Sequence, residues 1–333
     1  MRLSVLLPCR NAGAHLGEAI ASIEAQSFGD FEVVAVDDGS VDDTAALLDA
    51  WRRRDPRVRL IRTGPNGLVA ALNTALHAAD GELVARMDAD DVAWPARFER
   101  QLALLDAEPS LAACGTGVRY VPEPCVRDGA RRYERWINSL VTAEQIERDI
   151  FVECPIPHPT LCARRTVLAD IEGYHDTDWP EDYDLVLRLW AAGKRVAKVP
   201  AVLLDWREGE GRLSRTDARY GEDAFRRCKV HFLARTLLRG HDRVIVWGAG
   251  PVGKAFAREL VRQGFTIDAF VDLDPRKIGQ IIHDAPVIAP PAIHQRQGRF
   301  TVAAVGSDDA RAEIRAALDQ AGWREMHDFC AVA

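Results

Sequence analysis

No apolar run in this chain of 333 residues approaches the roughly 18 needed to cross a bilayer as a helix. The N-terminus reads Met-Arg-Leu-Ser-Val-Leu-Leu-Pro, and the break at Pro8 leaves too short an apolar segment for a signal peptide. A strand is expected there instead. No Cys-x-x-Cys pair occurs: the seven cysteines (Cys9, Cys114, Cys125, Cys154, Cys162, Cys228, Cys330) are scattered and odd in number. That pattern fits reduced thiols in a cytoplasmic protein better than a disulfide framework. There is no basic excess either. A formal net charge of -7 argues against a general nucleic-acid binder. Internal repeats and low-complexity segments are also missing.

What is present is ordinary in bulk: 47% hydrophobic and 28% charged residues suit a soluble globular protein, and the length allows two domains with separate cores. Short apolar runs alternate with helical patterns in the first part, the signature of an α/β fold with a parallel sheet. Residues 3–7, 31–36, 58–61 and 83–87 form a set of four expected strands. Leu16, Ile20 and Ile23 recur at helical spacing between the first two. Ser40, with Asp43 three positions on, reads as a helix start, and Leu47, Leu48 and Trp51 as that helix's buried face. From 121 to 159 the pattern loosens around Pro122, Pro124 and Gly129, followed by an amphipathic stretch over 132–151. Residues 181–190 and 219–238 read as helices, the second a connector broken at 239–242. A new strand, glycine loop and helix begin at Val244. The domains are therefore expected at 1–240 and 241–333.

Open parallel sheets bind ligands at the carboxyl ends of their strands. Two acidic clusters fall at such ends: Asp37 and Asp38 after the second strand, and Asp88, Asp90 and Asp91 after the fourth. An Asp-x-Asp leaving a buried strand can aim two hard oxygen donors at one Mg²⁺ or Mn²⁺, which such carboxylates often share with a substrate diphosphate. Asp is also common in turns and caps, so the pair alone is weak.

Its surroundings are not weak. Ser4-Val-Leu-Leu-Pro-Cys-Arg-Asn11, Val36-Asp-Asp-Gly-Ser40 with Asp42 and Thr44, and Asn66-Gly67-Leu68 through Asn73 appear in this order. Gly81-Glu-Leu-Val-Ala-Arg-Met-Asp-Ala-Asp-Asp91, His158-Pro159-Thr160, Gly173-Tyr174 and Glu181-Asp182-Tyr183-Asp184-Leu185 follow. From about residue 3 to about 214, the ordered set resembles family 2 glycosyltransferases, inverting enzymes with the GT-A fold. The resemblance implies transfer of a sugar from a nucleotide-diphosphate sugar to a hydroxyl of a glycan or lipid-linked acceptor, with a bacterial surface glycan as the family-level expectation. Pro8 and Asn11 match the loop bordering the nucleotide. Asp38 matches the carboxylate that accepts from the base, and Asn66 and Gly67 the segment closing over it. Asp88 and Asp90 match the metal pair, with Asp90 the direct ligand. Asp182 matches the catalytic base and Glu181 its supporting neighbour. Location in the cytoplasm, at most at the inner face of the membrane, goes with this reading.

One departure touches the metal. Many relatives carry a histidine after the Glu-Asp helix; here the region reads Trp206-Arg207-Glu208-Gly209-Glu210-Gly211-Arg212-Leu213-Ser214. Arg207 or Arg212 is the candidate to neutralise phosphate charge instead. His158 is a substitute metal ligand or a structural residue of its loop. Arg52, Arg53, Arg54, Arg57 and Arg59 are a solvated face or, less in keeping with charge runs generally, an attraction to anionic phospholipid or a lipid-diphosphate acceptor. Arg131, Arg132 and Arg135 with Tyr133 and Trp136 either contact acceptor or pack.

The second domain opens with Gly248-Ala-Gly250-Pro-Val-Gly253 after a strand, and Asp272 ends the next apolar run. This is the spacing of a Rossmann fingerprint: a tight turn, a close phosphate approach, helix–strand packing and an acid for ribose. It resembles the small Rossmann-type domains of sugar-modifying acyltransferases, and a nucleotide, NAD or a structural role all remain open. Two alternatives for the whole chain are a sugar-nucleotide nucleotidyltransferase and an oxidoreductase using this second domain.

Overall fold

Strands β1 (Leu3–Cys9), β2 (Phe31–Asp38), β3 (Val58–Thr63) and β4 (Leu83–Arg86) lie parallel in the order β3-β2-β1-β4. Every residue of β1 and β2 is buried. Strands covered on both faces need apolar residues at successive positions, which is why these runs lack alternation. The covering helices keep their spacing: Leu16, Ala19, Ile20 and Ile23 are buried on helix Leu16–Glu24, Leu48 and Trp51 on helix Thr44–Arg54. The computed structural model describes residues 1–209 and 211–333; Glu210 lies outside them. By internal contacts the chain forms two units, Met1–Ile146 with Pro155–Asp217, and Glu147–Cys154 with Ala218–Ala333.

Beyond β4 the first sheet turns mixed. With β5 (Val92–Ala93), β6 (Leu111–Val121), β7 (Cys162–Arg164) and β8 (Arg195–Arg207), it has eight strands among the described residues, in the order β3-β2-β1-β4-β7-β6-β8-β5. β7 is antiparallel to both β4 and β6, while β6 and β8 are parallel. The four expected strands are thus half of this sheet. The other half is hidden because β6 contains Gly115 and Gly117, and β8 contains Lys198 and Pro200, all poor strand residues. Their use is tertiary. A Cβ on Gly117 would lie 3.0 Å from the Ala201 carbonyl oxygen, beside a register shift between Thr116 and Gly117. Lys198 buries its ammonium against the carbonyls of Ile137 and Pro155. The loosened stretch forms helices Asp128–Ser139 and Ala143–Asp149, and the expected helix at 181–190 is Glu181–Ala191.

The second unit holds β9 (Arg243–Trp247), β10 (Thr266–Val271), β11 (Ile281–Ile282), β12 (Ala285–Ile288), β13 (Phe300–Ala303) and β14 (Phe329–Ala331). Its order is β11-β12-β10-β9-β13-β14, parallel except for the β11–β12 pair. Counted from β9 and leaving out the short β11, the parallel strands run 3-2-1-4-5, the order of a doubly wound sheet. Helix Glu222–Arg235 packs on helix Pro251–Arg262. Its Lys229 donates to the carbonyls of Val152 and Val332. It therefore groups with the second unit, and the division falls after Asp217, whereas the sequence break that suggested residue 240 lies within that unit. No helix among the described residues is long and apolar enough to cross a membrane.

Gly253 shows how tightly the glycine loop is built. A Cβ there would sit 1.7 Å from the Gly248 carbonyl oxygen. The oxygen is main chain and the position of a Cβ is set by the backbone, so no side-chain rearrangement relieves the clash. Gly253→Ala is expected to cost about 4–5 kcal/mol, the extreme for a single change. Thermal unfolding checks this, and a melting curve superimposable on wild type would contradict it.

Candidate active site

The carboxyl ends of β1, β2 and β4 lie side by side, with Cys9 opposite Asp37 and Leu6 opposite Arg86. Pro8 is buried in β1 beside Val36. Asn11 follows at a positive φ of 50°. Its side-chain oxygen accepts from the Val41 N–H at 2.9 Å, and its own N–H donates to Ser40 Oγ at 3.0 Å. Ala12 N–H donates to Thr44 Oγ1 and Gly13 N–H to Asp42 Oδ2. Ser40, expected as a helix cap, thus holds the first loop instead. The Thr44 N–H is taken by Asp42 Oδ1 at 3.0 Å, and Asp43, the capping position, makes no side-chain cap.

Asp38 is buried at the end of β2. Its two oxygens accept the main-chain N–H groups of Asn66, at 2.8 Å, and Gly67, at 2.9 Å, and Thr63 Oγ1 adds a third bond at 3.2 Å. Asp38, Asn66 and Gly67, matched separately to the nucleotide, are therefore one hydrogen-bonded unit. A carboxylate offers about four lone-pair sites, so Asp38 retains acceptor capacity. Gly67 sits at φ +92°, a conformation that favours glycine, and begins helix Leu68–Ala78.

Past β4, one ligating oxygen each from Asp88, Asp90 and Asp91 lies within 4.8 Å of the others. Asp91 was legible as a third acid in the run, but its place in the cluster comes from the structure. It is buried, its Oδ1 accepts the Arg207 N–H at 2.8 Å, and its Oδ2 has no partner. Asp88 pairs with the buried Arg86. Burial first, then repulsion from Asp88, raises the pKa of Asp90; burial, Asp88 and Asp90 raise that of Asp91 well above the usual range. Crowded hard oxygens with an unmatched buried acceptor fit the donor set of Mg²⁺ or Mn²⁺. His158 is not in this cluster.

The two arginine candidates separate. Arg207 Nε donates to the Asp90 carbonyl and its Nη2 to Glu18, so it clasps β8 to the acidic loop. Arg212 lies over the Trp206 ring, 4.6 Å from its centroid, with Glu208 3.7 Å away. Burial opposes its charge, but Tyr120, Asp91, Glu208 and Asp88 outweigh that and raise its pKa. Arg212 is the cation left facing the acidic loop.

Around the Glu-Asp motif, the Asn73 side chain brackets Tyr174, accepting its N–H at 2.9 Å and donating to its carbonyl at 2.8 Å. Arg188 donates to Asp184 Oδ2 and to the carbonyls of Ile171 and Gly173. Asp184 Oδ1 accepts from Trp179 Nε1 at 2.9 Å. Glu181 is 2% exposed. Asp182 is half-buried, and one of its oxygens accepts the Tyr183 N–H. Of the three acids in this turn, Asp182 is the one that reaches solvent.

The basic run at 52–59 is largely neutralised: Arg52 pairs with Asp49, Arg54 with Glu24, Arg57 with Asp55 and Arg59 with Asp80. Tyr133 packs against Trp136 and Trp206, with centroids 5.7 and 6.4 Å apart, while Arg131, Arg132 and Arg135 are exposed. In the second unit, Gly248 sits at φ +115° and Gly250 begins helix Pro251–Arg262 with nothing near its missing side chain. Asp272 accepts from the Ala249 and Asp274 N–H groups and pairs with Lys277 at 2.9 Å, so its carboxylate already buttresses the loop.

Comparison with known proteins defines the class. Residues 4–171 match the family described as Glycosyl transferase family 2, and the chain belongs to that family. Amylovoran biosynthesis glycosyltransferase AmsE of Erwinia amylovora is 29% identical over 241 residues, 68% of this chain and 88% of that one. Among solved structures, Staphylococcus aureus TarS 1-349 in complex with UDP-GlcNAc superposes with a TM-score of 0.57 at 19% identity, covering 79% of this chain and 72% of that one. Mannosyltransferase PcManGT of Pyrobaculum calidifontis, in complex with GDP-Man and Mn²⁺, gives 0.52 at 20% identity, covering 98% and 81%. The fold is that of the GT-A glycosyltransferases. This chain is a glycosyltransferase, and neither the nucleotidyltransferase nor the oxidoreductase alternative has support.

Proposed function

We propose that the first unit transfers a sugar, with inversion, from a nucleotide-diphosphate sugar to an acceptor hydroxyl, using Asp182 as base. The observation carrying this is the division of labour among carboxylates. Asp88, Asp90 and Asp91 gather at the end of β4, while the Glu-Asp turn ties down Asp184, buries Glu181 and presents Asp182. Pro8, Asn11, Asp38, Asn66 and Gly67 form the nucleotide's wall. Asp90 and Asp91, with Asp88 steadied by Arg86, hold a divalent cation, which when bound supplies positive charge against the departing diphosphate, worth roughly several kcal/mol. Arg212 adds a fixed positive charge on the same side. Asp182 takes the acceptor's proton as that oxygen attacks the face opposite the leaving group, so a single base suffices and the anomeric centre inverts.

A glycan or lipid-linked acceptor in surface polysaccharide assembly, met in the cytoplasm, completes the proposal; the name of AmsE supports it. Within the glycine loop, Gly250 has nothing near its missing side chain, so a nucleotide or NAD held there would approach the main chain at that point. Incubation with UDP- and GDP-sugars and Mn²⁺, with and without chelator, tests the main reading. Chelator-sensitive release of nucleoside diphosphate is expected; no release and no thermal stabilisation by any sugar nucleotide would overturn it.

Asp38→Ala tests the nucleotide wall. It removes the acceptor for two main-chain N–H groups, and about 1–3 kcal/mol of stability should go with each group left unsatisfied. Nucleotide affinity should fall about tenfold as the loop at Asn66 and Gly67 loosens. Calorimetry and thermal melting read the two effects. Wild-type values for both would remove Asp38 from the site.

A further inference from the structure

The chemistry above leaves two buried polar side chains without a task. His158 is 7% exposed and Tyr174 is 3% exposed. His158 Nε2 lies 3.2 Å from the Tyr174 hydroxyl, and its Nδ1 lies 3.7 Å from Glu181 Oε1. Arg86 stands behind this pair, buried, with two of its guanidinium nitrogens lacking a hydrogen-bond partner. Burial first, then the charge of Arg86, pushes the His158 pKa well below its usual value, so the ring is neutral. Burial likewise keeps Tyr174 protonated.

With both groups neutral the bond could run either way, and the Glu181 carboxylate beside Nδ1 decides it: the proton sits on Nδ1, and Nε2 accepts the Tyr174 O–H. Tyr174 cannot drift, because Asn73 grips its main chain on both sides. Gly173 before it is at φ +64°, where a Cβ would meet Asn73 Oδ1 at 2.7 Å. The imidazole is thus oriented from one side by a fixed hydroxyl and turned toward a buried carboxylate on the other. At 3.7 Å this is an electrostatic contact rather than a full hydrogen bond. In a buried site such attraction is strong.

We propose that His158 is a positioning residue for the catalytic base: oriented by Tyr174, its Nδ1–H fixes the Glu181 carboxylate at the first turn of helix Glu181–Ala191, and thereby fixes the next residue, Asp182, against the acceptor. This rests on Asp182 being the base. It also gives the His-Pro-Thr and Gly-Tyr motifs, which lie apart in sequence, one shared role. Small misplacements of a reacting group are expensive in rate, so the effect belongs in kcat.

The test compares His158→Ala, His158→Gln, Tyr174→Phe and Asp182→Asn in steady-state transfer, with nucleoside diphosphate binding measured alongside. His158→Ala should lower kcat about tenfold or more while donor KM and diphosphate affinity stay within about twofold. His158→Gln, whose amide can accept from Tyr174 and donate to Glu181, should recover to within about threefold of wild type. Tyr174→Phe, which removes only the orienting hydroxyl, should fall between. Wild-type kcat in His158→Ala overturns the proposal, as does His158→Gln being no better than His158→Ala, or donor KM rising as much as kcat falls. If His158→Ala does not fold, wild-type kcat in Tyr174→Phe is the overturning result. Near wild-type transfer by Asp182→Asn would instead sink the base assignment itself, and a loss there with His158→Ala unaffected would sink the positioning role alone.

Discussion

Asp182→Asn is expected to lower transfer at least about 100-fold while donor affinity stays near wild type. The amide is nearly the same size and can still accept the Tyr183 N–H, so the helix start should survive. What it cannot do is take a proton from the acceptor. Neighbouring acids are poorly placed to substitute. Asp184 spends one oxygen on Trp179 and the other on Arg188, and Glu181 is buried. A variant that transfers sugar at close to the wild-type rate would send the search for the base elsewhere. Loss of donor binding alongside loss of rate would show that Asp182 holds the donor rather than the acceptor's proton.

Asp90→Ala is expected to abolish the metal-dependent part of nucleoside diphosphate binding, so that affinity with Mn²⁺ falls to the level seen with chelator. Asp90 is the better position to change, because Asp88 is the partner of a buried arginine. Removing Asp88 would strand that cation at a cost of about 3–5 kcal/mol and confuse folding with binding. Removing Asp90 relieves crowding among the three acids, so the metal-free protein should be no less stable. Calorimetry with and without Mn²⁺ reads the result directly; an unchanged metal increment would take Asp90 out of the ligand set. Asp91→Asn is the natural companion, since Asp91 brings an unpartnered buried oxygen to the cluster.

Much of this site was legible because its residues are local. Asp-Ala-Asp-Asp leaves one strand, Glu-Asp opens one helix, and the glycine loop lies within six residues. Short spacings put groups together whatever the rest of the chain does. Where a role depended on a distant partner, the reading strayed. Ser40 looked like the cap of the following helix, but the N–H it serves belongs to Asn11, 29 residues earlier. Arg207 and Arg212 looked equivalent until the Asp90 carbonyl and Glu18 claimed the first.

The sequence by itself determined the α/β class, the four parallel strands of one half of the first sheet, and the acids that follow the second and fourth of them. Short apolar runs of strand length alternating with helical patterns mark a parallel α/β sheet, and ligand-binding residues collect where such strands end. The tertiary structure alone decided the mixed half of the sheet, built from glycine- and lysine-bearing strands whose stability lies in one another. It also placed helix Glu222–Arg235 with the second unit and joined His158, Tyr174 and Glu181. Such contacts bring together residues far apart along the chain, and neither local propensity nor hydrophobic period carries any record of which distant group will fill a given hydrogen bond.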